Sequence, residues 1–505
     1  MYVKIKSHIL KYLKFFSKWW TYFKSRDLDN LTNFIQSYLE SSGIHGLFFL
    51  VYRRLVIIER YFWLLLVIIS TYICIKIGLQ SVDRFYTKST VVGLERDYHQ
   101  WNTTMPATTV CPLKRLDSQL FNAFCRDHNI PDREHDELFQ FLESLANSTF
   151  INFKEIKVYN QIDRILDKLK IKPKNYMELI YNLTVDNTFQ NISDMKHIYS
   201  RIYGSSGDGF LHSRQILTEY GLCYNLNTLL DTSYSATYFI FGKHPEVPKK
   251  GRNFLSSKWG NYFEEEMIYN FEGFISTPID TFIHSPFEVM QVDHNMGYTL
   301  DPMTYEVECL EIITEVGFKT GASISQRQCR FLHESNLTHF PIYTKNLCLQ
   351  ECRLNLIYKL CKCIPHFYPN RVSNPKPVCD YRTLRECLPK YETVFLKLHG
   401  YNESGRYEDV QCYCLENCRD ILISKGRTIE MFGEATLMLD SVGIIISMTN
   451  RPTSRLIRQI IFSLTDLLVA IGGTAGLFLG VNVLGIIEII YYFTLHLFWH
   501  LRGYK

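Results

Sequence analysis

Residues 460–498 read IIFSLTDLLVAIGGTAGLFLGVNVLGIIEIIYYFTLHLF, and only Asp466 and Glu488 in them are charged. As one helix, at about 1.5 Å per residue, the stretch spans ~58 Å, roughly twice a bilayer core of ~30 Å. It must project from the membrane, break, or do both. Charged side chains inside a span are costly and usually face a bundle interior or a water-filled path. On a continuous helix Asp466 and Glu488 stand about 40° apart and line one face, whereas Asn482 stands about 160° from Asp466. So either Asn482 faces away from such a path, or the helix breaks. Gly472, Gly473, Gly476, Gly480 and Gly485 punctuate the interval. Two GxxxG steps (Gly472, Gly476, Gly480) read as close helix packing. They also read as a non-helical stretch whose carbonyls face water, tolerated only where it lines a cavity. A combination of the two is expected.

Working outward, Tyr61–Leu79 (YFWLLLVIISTYICIKIGL) is apolar over 19 residues, with Lys76 near its far end and Arg53, Arg54 and Arg60 before it. Two buried core helices are the alternative to two membrane spans. The first stretch begins too late for a signal peptide, and no small-residue cleavage site follows it. Residues 1–60 carry ten Lys/Arg and four Asp/Glu, and Arg502 and Lys505 follow Phe498. Residues 80–460 carry 42 Lys/Arg and 45 Asp/Glu. The basic ends are therefore expected in the cytoplasm and the middle outside. The expected organisation is a cytoplasmic segment 1–60, a first span 61–79, an external region 80–459, a second span 460–498 and a short cytoplasmic tail 499–505. Six glycosylation sequons, at Asn102, Asn147, Asn182, Asn191, Asn336 and Asn402, fall in the external region. Asn30 fits the pattern but lies inside, so it stays bare. Residues 1–24 interleave Lys4, Lys11, Lys14 and Lys18 with bulky apolar side chains. They read as a helix resting on anionic lipid, or as an ordinary basic tail.

Fourteen of the 15 cysteines, Cys111 to Cys418, belong to the external region, and Cys74 belongs to the first span. An even count in an oxidising compartment predicts up to seven disulfides. Zinc is the alternative, but no CxxC pair occurs, and no metal site is expected. Cys348 and Cys352 are four apart in a helical pattern, with sulfurs on one face about 6 Å apart along the axis. Cys412 and Cys414, two apart in CYC, share a face if extended, at roughly 6.6 Å. The matching pitch predicts that the first pair joins the second as two rungs, with the partner order left open.

The composition is 46% apolar and 14% aromatic, which excludes a disordered chain. Residues 131–146 and 159–170 read as helices. TYFIFG (237–242), IDTFIHSP (279–286) and EVECLEIITEV (306–316) read as strands. No catalytic motif occurs. GSSGDG (204–209) lacks the frame and Lys of a phosphate loop, and HESNLTH (333–339) lacks HExxH spacing. Neither an enzyme, nor a cofactor, nor a nucleic-acid partner is expected.

Several stretches, in order, resemble the degenerin / epithelial sodium channel family, especially its insect pickpocket branch. Gly43-Ile44-His45-Gly46 is similar to the family's His-Gly gating motif. MPATTVCP (105–112) resembles its "FPAVTIC", GLCYNLN (221–227) its "G-x-C-Y-T-F-N", and FIHSPFEV (282–289) a strand with an I-H-S-P core. LLVAIGGTAGLFLGVNVLGIIEIIYY (467–492) is similar to its pore helix.

The resemblance implies an α+β membrane protein with two transmembrane helices and a large disulfide-rich external domain. That domain has the shape of a clenched hand with palm, β-ball, knuckle, finger and thumb. It implies a pore-forming subunit of a trimeric, amiloride-blockable sodium or cation channel, sensory or epithelial. Assembly is with itself or with sister subunits in the plasma membrane, both termini are cytoplasmic, and sodium is the permeant ion. Gly480, Val481 and Asn482 occupy the selectivity-filter positions, with Asp466, Val469, Ala470 and Glu488 at the pore or its mouth. The implied disulfides are Cys111–Cys223, Cys329–Cys418, Cys348–Cys414, Cys352–Cys412, Cys361–Cys387 and Cys363–Cys379. Cys125 and Cys309 remain and are paired by elimination. A cysteine pair that acid-sensing relatives carry before the GLCYNLN-like stretch is missing. The filter triplet, usually Gly-x-Ser, ends here in Asn482. Ala470 replaces an acid of acid-sensing relatives, and Val469 replaces a small residue. Asp466, one turn before Ala470, reads as a substitute ring of charge or as a helix-start residue. Two rivals remain: a non-conducting accessory subunit, and a two-span adhesion or receptor protein. The latter leaves the in-membrane acids and the glycine run unexplained. The stimulus is open: mechanical force, a small ligand, protons, osmolarity or another cue.

Overall fold

The first apolar stretch forms the longest helix among the described residues. The structure is a computed structural model that describes residues 28–96, 102–104, 106–184, 198–203, 214–226, 228, 230, 234–242, 256–258, 268–273, 279–292, 297–299, 303–370, 375–401, 407–410, 412–430, 442–447 and 454–501. Along the chain come α1 (Leu28–Ser41), α2 (Leu47–Val51) and α3 (Ile57–Thr87). The middle region holds α4 (Ser118–Asp127), α5 (Asp132–Ala146), α6 (Ile162–Lys168), α7 (Tyr176–Leu183) and α8 (Lys345–Cys361). The second apolar stretch gives α9 (Leu464–Leu479) and α10 (Val483–Tyr491).

α3 has 31 residues and extends two turns past Leu79. Among the described residues it is the one helix long and apolar enough to cross a bilayer. Leu464–Leu479 and Val483–Trp499 pass the same test only as a pair bent by 73°. The 39-residue apolar run therefore breaks, and Asp466 and Glu488 do not share the face of one continuous helix. Residues 1–24, GSSGDG, Asn191, Asn402 and the tail from Arg502 lie outside the described residues.

The chain divides into two compact units: one of 1–91, 319–327 and 460–505, the other of 92–318 and 328–459. Among the described residues the second holds two larger sheets and three two-stranded ones. The strands of the two larger sheets are β1 (Thr90–Glu95), β2 (Ala107–Pro112), β3 (Ile198–Tyr203), β4 (Arg214–Thr218), β5 (Gly221–Leu226), β6 (Ile268–Gly273), β7 (Ile279–His284), β8 (Gly297–Thr299), β9 (Met303–Thr314), β10 (Asp420–Glu430), β11 (Val442–Ser447) and β12 (Arg455–Ile460). The larger sheet runs β1-β12-β9-β11-β6-β3, with β10 also on β9, and the smaller runs β8-β7-β2-β5-β4. Three of the motif stretches are thus adjacent strands: Thr109 of β2 faces Asn225 of β5 and Phe282 of β7. His284 Nε2 lies 2.7 Å from Thr109 Oγ1 and its Nδ1 2.8 Å from the Ser285 carbonyl. An imidazole with one acceptor partner and one hydroxyl partner ties the two strands together.

Helices pack on this frame through apolar faces at helical spacing. Leu138, Phe141, Leu142 and Leu145 of α5 are fully buried, as are Leu347, Leu354 and Ile357 of α8. α8 starts at Thr344, whose hydroxyl accepts from Leu347 N at 3.0 Å, which satisfies one orphan amide of the first turn. Arg353 of α8 is buried against Glu219, which also accepts from Tyr368 (2.6 Å) and Val292 N (3.0 Å). The Arg353 Nε donates to the Phe395 carbonyl at 2.7 Å.

Six disulfides close the unit: Cys111–Cys223, Cys329–Cys418, Cys348–Cys414, Cys352–Cys412, Cys361–Cys387 and Cys363–Cys379. The pairing of Cys125 with Cys309 is corrected, because both are free thiols. Cys125 is enclosed in the helical core on α4, while Cys309 sits in the large sheet opposite Ile423 of β10. Burial pushes the Cys125 thiol up to about 11; burial, then the Glu311 charge, pushes Cys309 up to about 12. Neither is a reactive thiolate at neutral pH. CYC is not a strand: Cys414 N donates to the Cys412 carbonyl at 2.8 Å, a three-residue turn that leaves Tyr413 exposed. TYFIFG is not one either. Residues Ala236–Phe241 are helical, because Ser235 caps the Tyr238 amide and Ala236 and Phe239 face the core. Capping and burial here outweigh the β preference of aromatic and β-branched residues.

Candidate functional site

α9 begins with a reciprocal cap: Asp466 Oδ2 accepts from Ser463 N at 2.8 Å, and Ser463 Oγ accepts from Asp466 N at 3.2 Å. This accounts for an acid at the start of an apolar helix. The helix ends at Gly480 in the left-handed region, φ +67°, with Gly480 N on the Gly476 carbonyl at 3.0 Å. Asn482 then caps α10, its Oδ1 accepting from Gly485 N at 2.7 Å. The Gly480-Val481-Asn482 triplet is therefore the break itself: one stop signal, one linking residue, one start signal. Asn482 is not half a turn away on an unbroken helix.

The His-Gly segment fills the corner of that break. His45 N donates to the Leu479 carbonyl at 3.0 Å. A β-carbon at Gly480 would collide with the His45 ring. Gly46, at φ +93°, leaves room for Val67: a β-carbon there would stand 2.7 Å from Val67 Cγ2. Ser42 Oγ accepts from Ile44 N at 3.2 Å, shaping the approach. α2 then starts, and Phe49 stacks on Trp63 with centroids 4.4 Å apart. The motif thus lies beside Trp63 and Val67, residues of the expected first span, rather than clear of it.

A second lock lies below. Phe34 and Tyr38 of α1 are buried against Tyr492, Phe493 and His496, with centroids 4.9–6.3 Å apart. The Tyr492 hydroxyl donates to Ser37 Oγ at 2.9 Å. Burying one such ring stabilises by roughly 1.5–3 kcal/mol. Residues Tyr492–His496 form a π-helical turn, a feature frequent at functional sites. Between the two locks is a cavity of about 150 Å³, lined by Ser42, Gly43 and Ile44 on one side and Val481, Asn482 and Glu488 on the other.

At the other end of α9 a third junction ties the apolar helices together. Ile461 N and Phe462 N both donate to the Ser89 carbonyl, at 2.9 and 3.2 Å. Arg84 lies over the Phe462 ring at 4.9 Å. Gln326, from the 319–327 segment, donates to the Phe85 carbonyl at 3.1 Å and accepts from Thr90 Oγ1 at 3.4 Å.

The structure thus brings His45, Gly46, Gly480, Val481, Asn482 and Glu488 into one corner. Asp466, Val469 and Ala470 lie more than two turns away along α9, and Val469 is exposed. Gly472 and Gly473 have nothing within 4 Å of an added β-carbon, so within one chain they pack on no neighbour. Sequence reasoning missed the Leu479 carbonyl, the Phe34/Tyr38 lock and Gln326. The four-residue spacing of Phe34 with Tyr38, and of Tyr492 with His496, was the available signal for the second. Asn147, read as a sequon, turns its amide nitrogen inward to the Leu113 carbonyl (2.8 Å) and Glu143 (3.2 Å), whereas Asn182 and Asn336 are exposed.

Comparison with known proteins gives a consistent picture. The family model described as amiloride-sensitive sodium channel matches residues 38–492. The bile acid-sensitive ion channel of Mus musculus is 22% identical over 509 residues, covering 95% of this chain and 91% of that protein. Sodium channel protein Nach of Drosophila virilis is 26% identical over 182 residues, 34% of this chain and 44% of that protein. Pickpocket protein 28 of Drosophila melanogaster is 24% identical over 326 residues, 55% of this chain and 52% of that protein. The chain thus spans about half or less of the last two relatives.

Proposed function

The chain belongs to the amiloride-sensitive sodium channel family, a family of ion channels rather than enzymes, and from that premise we propose that it is a pore-forming subunit of a trimeric, amiloride-blockable sodium or cation channel. In this reading α3 and the broken α9–α10 pair are two spans of the plasma membrane, both termini are cytoplasmic, and the disulfide-rich unit is the external clenched hand. The six disulfides and the exposed sequons Asn182 and Asn336 support that side as the oxidising one.

The observation that carries the reading is the break at Gly480–Asn482 with His45 seated in it. Irregular backbone at membrane depth is tolerated where it lines a water-filled path. Helix ends leave carbonyls and amides without intrahelical partners. Three copies of the break around an axis would offer the Gly480 and Val481 carbonyls and the Asn482 amide to a partly dehydrated cation. His45 holds the Leu479 carbonyl of the same break, so movement of the His-Gly segment would alter its shape, which makes His45 and Gly46 gating residues. Glu488 lines the cavity beneath and would keep it attractive to cations. In such a trimer the bare Gly472 and Gly473 and the exposed Val469 would meet neighbouring copies. A β-branched Val469 there would crowd a closed bundle and raise resting current. Asp466 has its cap role and, in a trimer, would also form a ring of charge at the mouth above Ala470.

The test is expression of the chain alone in a cell, with current recorded with and without amiloride. Amiloride-blocked current carried by sodium is expected. Silence with good surface expression overturns the homomeric form and leaves a subunit that needs a sister chain.

A further inference from the structure

The disulfide-rich unit carries one run of basic residues that neither its fold nor the proposed pore uses. Residues 164–174 read RILDKLKIKPK: Arg164, Lys168, Lys170, Lys172 and Lys174 against the single acid Asp167. Residues 80–460 as a whole hold more acids than bases, so this excess of positive charge is local. The four lysines and Arg164 are exposed, whereas Leu169 and Ile171 between them are half-buried and pack against the core. Every second side chain from Lys168 to Lys174 is thus a lysine in solvent, and the apolar residues that alternate with them hold the run down.

The backbone beneath the lysines is fixed. α6 ends in a Schellman turn: Ile171 N donates to the Leu166 carbonyl at 2.9 Å and Lys170 N to the Asp167 carbonyl at 3.1 Å. Lys170 stands at the left-handed residue of that turn, φ +55°, where glycine is usual. Pro173 opens a single 3-10 turn, closed by Asn175 N on the Lys172 carbonyl at 2.8 Å. The Lys168 Nζ donates to the Asn129 carbonyl at 3.2 Å, a contact that leaves its charge uncompensated. Among the described residues, Arg164, Lys170, Lys172 and Lys174 have no carboxylate within ion-pair distance. The neighbouring Asp163 is engaged elsewhere, by the Tyr381 hydroxyl at 2.5 Å and by Arg382. A ligand on this run would have to order side chains but not backbone, which lowers the cost of binding.

We propose that the stripe from Lys168 to Lys174 is a binding site for a linear sulfated polysaccharide of the glycosaminoglycan class. The ligand must be a polyanion, because the stripe offers ammonium donors and an ammonium cannot accept. It must also be extended and hydrated, because the cations are strung along an exposed run and stay in contact with water. A protein partner fits less well. Protein interfaces are depleted of lysine and built around aromatic or apolar anchors, and no large apolar residue of 164–174 is exposed. Lysine is a compact, strongly hydrated point charge, suited to sulfates and carboxylates repeated along a solvated chain. Basic runs of roughly five to eight residues serve as heparin or nucleic-acid patches, and an external placement selects the former. That choice rests on the proposed topology; the binding of a sulfated polyanion does not.

The experiment reads no current, so it stands whether or not the chain conducts. The purified full chain in detergent is passed over immobilised heparin at about 0.15 M salt, beside hyaluronan, which carries carboxylates but no sulfates. Wild type is expected to bind heparin, and hyaluronan about tenfold more weakly. Lys168→Gln, Lys170→Gln, Lys172→Gln and Lys174→Gln together should weaken heparin binding at least about tenfold and flatten its salt dependence. A control that removes equal charge elsewhere, Lys88→Gln, Lys319→Gln, Lys359→Gln and Lys362→Gln, should change it less than about twofold. If the fourfold variant fails to fold, the pair Lys170→Gln and Lys172→Gln, expected to lose about threefold, decides. No binding by wild type, or equal losses in the stripe and control variants, overturns the site. Stripe-dependent capture of polyglutamate in preference to heparin overturns the polysaccharide and makes the ligand an acidic polypeptide. Heparin is also offered to intact cells that display the chain. Binding there is expected, and binding in detergent alone overturns the proposed topology while the site stands.

Discussion

The two units hold themselves together by opposite means. The disulfide-rich unit is locked by six covalent bonds and a buried Arg353–Glu219 pair in a dense core. The unit of apolar helices is locked by single hydrogen bonds, glycine contacts and stacked rings: His45 on Leu479, Gly480 under the His45 ring, and Phe34 and Tyr38 on Tyr492. Covalent rungs and paired buried charges cost several kcal/mol to lose, whereas a cap or a single hydrogen bond costs about 1 kcal/mol. An element that must change conformation is drawn from weakly held contacts. Under the proposed channel function the contrast assigns rigidity to the first and movement to the second, and it can be attacked from both sides.

The largest effect is expected at the buried pair. Arg353→Met leaves Glu219 unpaired in the core and should destabilise by about 3–5 kcal/mol. Thermal unfolding of the purified chain checks it, and a change under 1 kcal/mol would remove the pair from the account. Close behind, Cys352→Ser deletes one rung and should cost about 2–5 kcal/mol. Surface delivery should then fail before conduction does, which surface labelling alongside current recording separates. Across the contrast, Gly480→Ala places a side chain in the left-handed region and against His45, a strain of about 1–2 kcal/mol. Stability should fall by about that amount, less than for either change above, while the open/closed ratio shifts about tenfold; an unchanged ratio would show that the His45 contact does not gate. Smaller again, Asn482→Ala removes the α10 cap at about 1 kcal/mol, whereas Asn482→Ser keeps it. If both change sodium/potassium permeability equally, the side chain acts on ions and not through the cap. The smallest effect belongs to Asp466→Asn, which keeps a capping oxygen but removes charge. It should lower inward current at low salt and have little effect at high salt, because charge focusing is screened; a salt-independent loss would leave Asp466 as a cap alone.

The features that were legible in the sequence were those set by local rules. The first apolar helix, the helices over 131–146 and 159–170, and the β7 and β9 runs follow from composition and period. A broken second stretch was one of the outcomes its length required. TYFIFG and CYC were misread as strands because a Ser235 cap and a three-residue turn overrode residue preference. Cys125 and Cys309 were paired by counting, but counting carries no distance: one belongs to a helical core and the other to a sheet. Asn147 matched a three-residue pattern that does not report where its amide points.

By itself the sequence determined that this chain has two long apolar stretches, a cysteine-rich region between them and a glycine-punctuated second stretch. Hydrophobic length, charge bias and covalent chemistry are all properties of neighbouring residues. Only the tertiary structure decided that Gly480 to Asn482 is a stop and a start rather than part of a helix face. It also decided that His45, more than four hundred residues away in the chain, occupies the corner so made. The reason is that a helix end leaves backbone groups unsatisfied, and which distant segment satisfies them is settled by packing. No local pattern encodes that choice.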